Sequence, residues 1–188
     1  ATSTLPADDV IAEYCDKWDI PCFRGSEDDV LDRFYQCAKQ YDADIVLRAT
    51  CDCPFLDPNV VTEVIRLRAI HEADYASNID PPSYPDGLDI ECLTFSALEQ
   101  AWRDATRPSD RDCVPQFIVR NRARFPAVNL RCPLPGLAKE RWVVDTADDI
   151  KFANELSEHI VPGTTFTAIL DVLDRHPEIR KINSEGVR

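Results

Sequence analysis

Apolar positions along the chain recur with two alternating periods. Segments 7–17, 26–41, 57–72 and 96–104 space them three and four apart, as in a helix with one covered face. The predicted faces are Val10, Ile11, Tyr14 and Cys15 in the first; Val30, Leu31, Phe34 and Cys37 in the second; and Val61, Val64, Ile65 and Leu67 in the third. Between and beyond these helices lie short runs at 20–23, 44–50, 74–77, 88–93, 124–130 and 141–144, which read as strands. Ile45-Val46-Leu47 is continuously apolar, the pattern of a parallel strand buried on both faces. Further helices are predicted from Ser109, over 147–160 and over 165–175.

Turn chemistry sharpens several boundaries. Asp57-Pro58 places an N-cap before a proline at the first helical position. Ser26 with Asp29, and Ser109 with Asp112, have the spacing of capping pairs. Gly25 is expected to break the strand at 20–23. Alternating strands and helices predict an α/β fold with a doubly wound, mostly parallel sheet. The 188 residues suit one domain, predicted at 1–176, with a polar, loosely held tail at 177–188.

Charge and composition then narrow the function classes. A net charge of −13 opposes general nucleic-acid binding, which needs clustered Lys and Arg. It permits a nucleotide ligand held with a divalent cation. No apolar run approaches the ~18 residues of a membrane span, and residues 1–6 lack signal-peptide features. The eight cysteines form no C-x-x-C pair and no zinc-finger spacing, so free thiols and a cytoplasmic setting are expected, ahead of disulfides in a secreted protein. The three histidines are assigned no catalytic role.

In an open α/β sheet, ligands sit beyond the carboxyl ends of the strands. Asp52 follows the run at 44–50, and Asp145 follows the run at 141–144. Two carboxylates converging from two strand ends would suit Mg²⁺, which takes a few carboxylates and fills its octahedron with phosphate and water oxygens. Each could equally cap the helix after it. Arg48 and Arg141 could each hold an acidic ligand, or pair with the chain's own carboxylates. Trp142 reads as core.

Four motifs in order carry a resemblance: FRGSEDDVLDRF at 23–34, RATCDCP at 48–54 followed by Asp57-Pro58, YPDGLDIE at 84–91 and RWVVDT at 141–146. They resemble the cytidylyltransferases, of the acylneuraminate and spore-coat polysaccharide type. The resemblance implies a nucleotide-diphospho-sugar transferase fold and a Mg²⁺-dependent reaction in which CTP and a sugar acid or related sugar give a CMP-sugar and pyrophosphate. It implies that Asp52 and Asp145 bind the metal and carry catalysis. Gly25 and Ser26, with Asp52, would lie near the nucleotide, and Tyr84, Asp86, Gly87, Asp89 and Glu91 near the sugar. It also suggests a homodimer. Read without it, Gly25 and Gly87 are turn glycines, and Asp89 and Glu91, two apart on a strand, are its solvated side.

The chain departs from the family at three places. Cys51 stands where the G-D-x-P turn has glycine, Cys113 where a histidine is common, and Pro115 where threonine is usual. Family members also begin with a strand and a Gly/Ser/Arg-rich phosphate loop, whereas Ala1-Thr2-Ser3 matches the end of their second strand. One β-α-β unit of roughly 30 residues or more is therefore expected outside these residues, with little turnover from the 188 alone. The absent part could belong to a longer protein or to another chain. A degenerate domain acting as a binding module stays open, as does a transferase using another nucleotide.

Overall fold

A computed structural model describes residues 1–184. The strands are β1 Thr2–Ser3, β2 Arg24–Gly25, β3 Ile45–Arg48, β4 Tyr75–Ser77, β5 Glu91–Thr94 and β6 Ala127–Asn129. The helices are α1 Asp9–Lys17, α2 Val30–Gln40, α3 Pro58–Ile70, α4 Phe95–Asp104, α5 Pro108–Asp112, α6 Gln116–Arg120, α7 Ala147–Ser157, α8 Phe166–Arg175 and α9 Pro177–Arg180. β1 and β2 form a parallel pair, with Thr2 opposite Arg24 and Ser3 opposite Gly25. The other strands form a sheet in the order β3-β5-β4-β6. The α/β class agrees with the sequence reading.

Contacts group the chain into two compact units where the sequence predicts one domain. The first comprises Ala1–Val46 with Leu93–Ala127. Its packing centres on Tyr35, which stacks on Trp102 at 4.1 Å and on Phe95 at 5.8 Å. Helix α2 begins where Asp29 accepts the Asp32 N–H at 2.9 Å, and Ser26 Oγ accepts the Asp29 N–H at 3.0 Å. It buries Leu31, Tyr35 and Ala38, one helical stripe, and leaves Val30, Phe34 and Cys37 of the predicted face half-buried. Helix α1 departs further. It buries no residue, and Val10, Ile11 and Tyr14 stand 58, 42 and 61% exposed. Amphipathic spacing marks an apolar face but does not say what covers it. The helix expected from Ser109 is two short ones, α5 and α6, split at Cys113–Pro115, and Ser109 is not the cap.

The second unit comprises Leu47–Cys92 with the chain from Val128 onward. Its core gathers Val60 and Val64 of α3, Ala76 of β4, Leu88, Ile90, Trp142, Phe152 and Leu156 of α7, and Ile169 and Leu173 of α8. Burying each large aliphatic or aromatic side chain contributes about 1.5–3 kcal/mol. Asp57 ties two helices to this core. Its Oδ1 accepts the Asn59 N–H and its Oδ2 the Phe166 N–H, both at 2.8 Å, so one buried carboxylate satisfies donors at the starts of α3 and α8.

Three local expectations change. β3 ends the sheet order with one neighbouring strand, and Ile45 and Leu47 are 37 and 41% exposed rather than buried on both faces. The run at 141–144 forms no ladder and pairs through a single parallel bridge, Arg141 with Asp86. The segment after His176 is held rather than loose as far as 183, because Ile179 and Asn183 are buried at 3 and 7% exposure. Residues 185–188 of the predicted tail lie outside the described residues.

Candidate active site

The second unit brings three of the predicted segments together along one stretch of backbone. Asp86 donates its N–H to the Glu140 carbonyl at 2.9 Å and accepts the Trp142 N–H at 2.7 Å. Two residues on, Val144 donates to the Asp52 carbonyl at 2.8 Å. The loop at 84–88 and the turn at 51–54 are thus both stitched to segment 140–145. Gly87 permits that approach. Its φ is +104°, and a Cβ there would lie 2.6 Å from the Trp142 carbonyl carbon and 2.7 Å from the Val143 nitrogen. The turn signal in the sequence was real, but close backbone contact imposes glycine as firmly as the turn does.

Asp145 follows this stretch and leads into α7, where Thr146 and Asp149 form a reciprocal capping box. Asp149 is the anchor. Its Oδ2 accepts the backbone N–H groups of Asp145 and Thr146 at 3.1 and 2.9 Å, and its side chain is 1% exposed. The Arg141 guanidinium donates to both Asp149 oxygens, at 3.0 and 2.8 Å, and also to Asp145 Oδ2 at 2.8 Å. These bonds hold the Asp149 carboxyl far below the ordinary carboxylate range, with Arg141 the largest cause. Asp145 itself is 51% exposed at its side chain. The alternative that Asp145 caps α7 fails, because Thr146 is the N-cap.

Asp52 is held differently. Its carboxylate accepts a weak bond from the Cys53 thiol at 3.5 Å, and among the described residues no arginine or lysine pairs with it. Cys53 is buried, and its thiol is pushed up to about 11, first by burial and then by the charges of Asp52 and Asp89. Asp89 therefore lies near the Asp52 turn. Cys51, in the family's glycine position, is exposed, and all eight cysteines are free thiols.

The predicted sugar-facing group divides. Asp89 is partly exposed. Asp86 is 6% exposed, with Arg141 3.6 Å from its carboxylate. Tyr84 packs edge-on against Phe166 at 5.5 Å in the core, and burial pushes its phenol up to about 12. Glu91 is 1% exposed and lies beneath Tyr75 and Arg48, which donate to its two oxygens at 2.5 Å each. The reading of Glu91 as solvated is corrected: the strand turns this side inward, and two donors stabilise the buried charge. Tyr84 and Glu91 are thus both buried, the first against Phe166 in the core and the second against Tyr75 and Arg48.

Gly25 and Ser26 belong to the first unit. Gly25 lies within β2 instead of ending a strand, and a Cβ there would sit 2.9 Å from the Phe23 ring and 3.0 Å from Arg33 Cγ. The Ser26 carbonyl accepts from Arg33 at 2.5 Å.

Sequence reasoning offered Arg141 as an acidic-ligand holder or a partner of the chain's own carboxylates, and the second is what the structure shows; it did not name Asp149 or Asn183. The T-x-x-D spacing at 146–149 was the available signal for Asp149. A cavity of about 400 Å³ opens on the far end of the Asp52 turn, lined by Pro54, Phe55, Ile160, Val161 and Ile169 among others and by no charged residue. Among the described residues no three His, Cys, Asp or Glu side chains group to hold a metal. A cation here would take its remaining oxygens from phosphate and water, as Mg²⁺ ordinarily does. The hard oxygen donors of Asp52 and Asp145 fit that chemistry. No described helix is long and apolar enough to cross a membrane.

Comparison with known proteins identifies the family. The family model for Cytidylyltransferase matches residues 1–127. The uncharacterized protein MJ1063 of Methanocaldococcus jannaschii is 35% identical over 187 residues, covering 98% of this chain and 75% of that protein. The spore coat polysaccharide biosynthesis protein SpsF of Bacillus subtilis is 26% identical over 182 residues, covering 95 and 75%. The solved structure of a cytidylyltransferase from Leptospira borgpetersenii has the same fold, with a TM-score of 0.89 at 23% identity over 95% of this chain and 76% of that one. The chain belongs to the cytidylyltransferase family of nucleotidyltransferases.

Proposed function

We propose that the chain serves, as the larger part of an enzyme, the transfer of CMP from CTP to a sugar acid or related sugar in the synthesis of a surface polysaccharide or other glycan, with Asp52 and Asp145 sharing one Mg²⁺. The observation that carries this reading is the Val144 N–H bond to the Asp52 carbonyl, which sets the Asp52 turn beside the segment ending in Asp145. In the proposed reaction a sugar hydroxyl attacks the α-phosphorus of CTP, the α–β phosphoanhydride opens and pyrophosphate leaves. Bound Mg²⁺ supplies charge neutralisation for the phosphates and the departing pyrophosphate. Asp52 and Asp145 would hold it through oxygen. Asp89, partly exposed and near the Asp52 turn, is the acidic residue of the 84–91 segment suited to contact sugar hydroxyls. Gly25 and Ser26 are proposed to lie near the nucleotide through the family motif.

The relation to SpsF supports a glycan pathway. Titration calorimetry with CTP, UTP, GTP and ATP in Mg²⁺ tests the nucleotide, and pyrophosphate release with a panel of sugar acids tests the acceptor. CTP is expected to bind at least tenfold more tightly than the others. Equal binding of all four would overturn the cytidine assignment, and absence of binding would favour a non-catalytic domain.

A further inference from the structure

Asp145 is held from two directions. Its backbone N–H is bound by Asp149 at 3.1 Å and its carboxylate Oδ2 by Arg141 at 2.8 Å. Arg141 is in turn locked. Its side chain is 12% exposed, its Nε and one Nη lie on the two oxygens of Asp149, and its other Nη is 3.6 Å from Asp86. Asn183 closes the arrangement from the far end of the chain, donating to Asp149 Oδ1 at 2.9 Å and to the Arg141 carbonyl at 3.1 Å.

The charge count says what this arrangement gives Asp145. Arg141 and Asp149 cancel, so together they add almost no net charge beside it. What they add is direction. A half-exposed aspartate otherwise samples several rotamers, and ordering it for a ligand costs free energy on every binding event. Here that ordering is built in, and it occupies only Oδ2. Among the described residues nothing bonds to Oδ1. The planar fork of arginine grips Asp149 through Nε and one Nη, and that bidentate grip fixes the direction in which the same Nη reaches Asp145. A lysine ammonium could neutralise Asp149 but has no second nitrogen for the bidentate grip that fixes this direction.

We infer that Arg141 is a positioning residue: anchored by Asp149 and Asn183, it presents the Asp145 carboxylate to the divalent cation that accompanies the nucleotide. This rests on the metal role proposed for Asp145 above. Groups that orient a metal ligand commonly govern affinity by about 10–100-fold.

The test is Mn²⁺ titration of the full chain in saturating CTP, followed by electron paramagnetic resonance, with thermal melting in parallel. Arg141→Lys keeps the charge and removes the fork, and it is expected to weaken Mn²⁺ binding about tenfold. Asn183→Ala, a milder loosening of the same anchor, is expected to weaken it about threefold. Lys151→Gln, which removes a positive charge from an exposed pair with Asp148 on α7, is expected to bind as wild type. If Arg141→Lys folds and binds Mn²⁺ as wild type does, while Asp145→Asn does not, the positioning role is overturned and the metal reading stands. If Arg141→Lys does not fold, Asn183→Ala decides, and unchanged binding there overturns the role. If wild type fails to bind Mn²⁺ with CTP, or Asp145→Asn binds equally well, the metal reading falls and this inference with it.

Discussion

The two aspartate turns of the second unit are built differently. At 145–149 the backbone is capped by a buried aspartate, and the Asp145 side chain is pinned by an arginine that is itself pinned. At 51–54 the backbone is tied to segment 140–145 through one carbonyl, and the Asp52 carboxylate has a thiol for company at 3.5 Å. One acid is fixed by the protein and the other is left for something else to fix. A purely structural role would satisfy both carboxylates alike. The asymmetry suits a shared cation, for which one rigid ligand sets position and one adaptable ligand completes the grip.

Substitutions can break this contrast from the rigid side first. Asp149→Asn should cost about 3 kcal/mol or more, because it leaves a largely buried arginine without its main counter-charge. Thermal unfolding should then fall by roughly 6–12 °C for a chain of this size. The loss has a pH signature. The depressed folded pKa of Asp149 means that its contribution is complete at neutral pH, where both states are ionised. As pH falls below about 3.9 the unfolded chain takes up the proton first, and this stability is progressively lost. Wild type and Asp149→Asn should therefore converge in stability in acid, and a constant gap across pH 7 to 3 would contradict the assignment.

Gly87→Ala comes next. It forces a positive φ on alanine and drives a Cβ into the Trp142–Val143 peptide, at an expected cost of about 2 kcal/mol by chemical denaturation. Asp52→Asn lies at the other extreme. With no cation partner to lose, it should change stability by less than about 0.5 kcal/mol while removing a ligand of the proposed metal. A large loss of stability in that variant would show the Asp52 turn to be structural.

The thiols of the turn give the smallest and cheapest test. Cys51 is exposed, whereas Cys53 is buried with its thiol raised to about 11. Alkylation at pH 8 followed by peptide mass mapping should label Cys51 well before Cys53. Bound Mg²⁺ and CTP should then slow labelling at Cys51. Equal rates at the two cysteines would mean that the turn opens readily.

What the sequence made legible was short-range. Asp57-Pro58 fixed the start of α3 because cap and proline act within one turn, and the apolar runs located β3 to β6, whereas the runs at 20–23 and 141–144 form no strand. Its second service, Asp57 reaching the start of α8 more than a hundred residues on, left no local trace. Periodicity failed where the outcome depends on what lies opposite. Val10, Ile11 and Tyr14 make a helical face that nothing described buries. Asp89 and Glu91 sit two apart, yet β5 begins only at Glu91, which is buried beneath Tyr75 and Arg48 while Asp89 keeps partial exposure. The candidate site was legible as two aspartates after two runs. Its anchoring was not, because Arg141, Asp86, Asp149 and Asn183 come from four places in the chain and meet only in the fold.

The central claim is that Asp52 and Asp145 hold one ion together with the phosphates of a bound nucleotide. Paramagnetic relaxation of the three CTP phosphorus resonances by Mn²⁺, recorded with wild type, Asp52→Asn and Asp145→Asn, tests it most directly. The account predicts strong, protein-dependent broadening with wild type and its loss in both variants. Broadening that survives either substitution undiminished would contradict it.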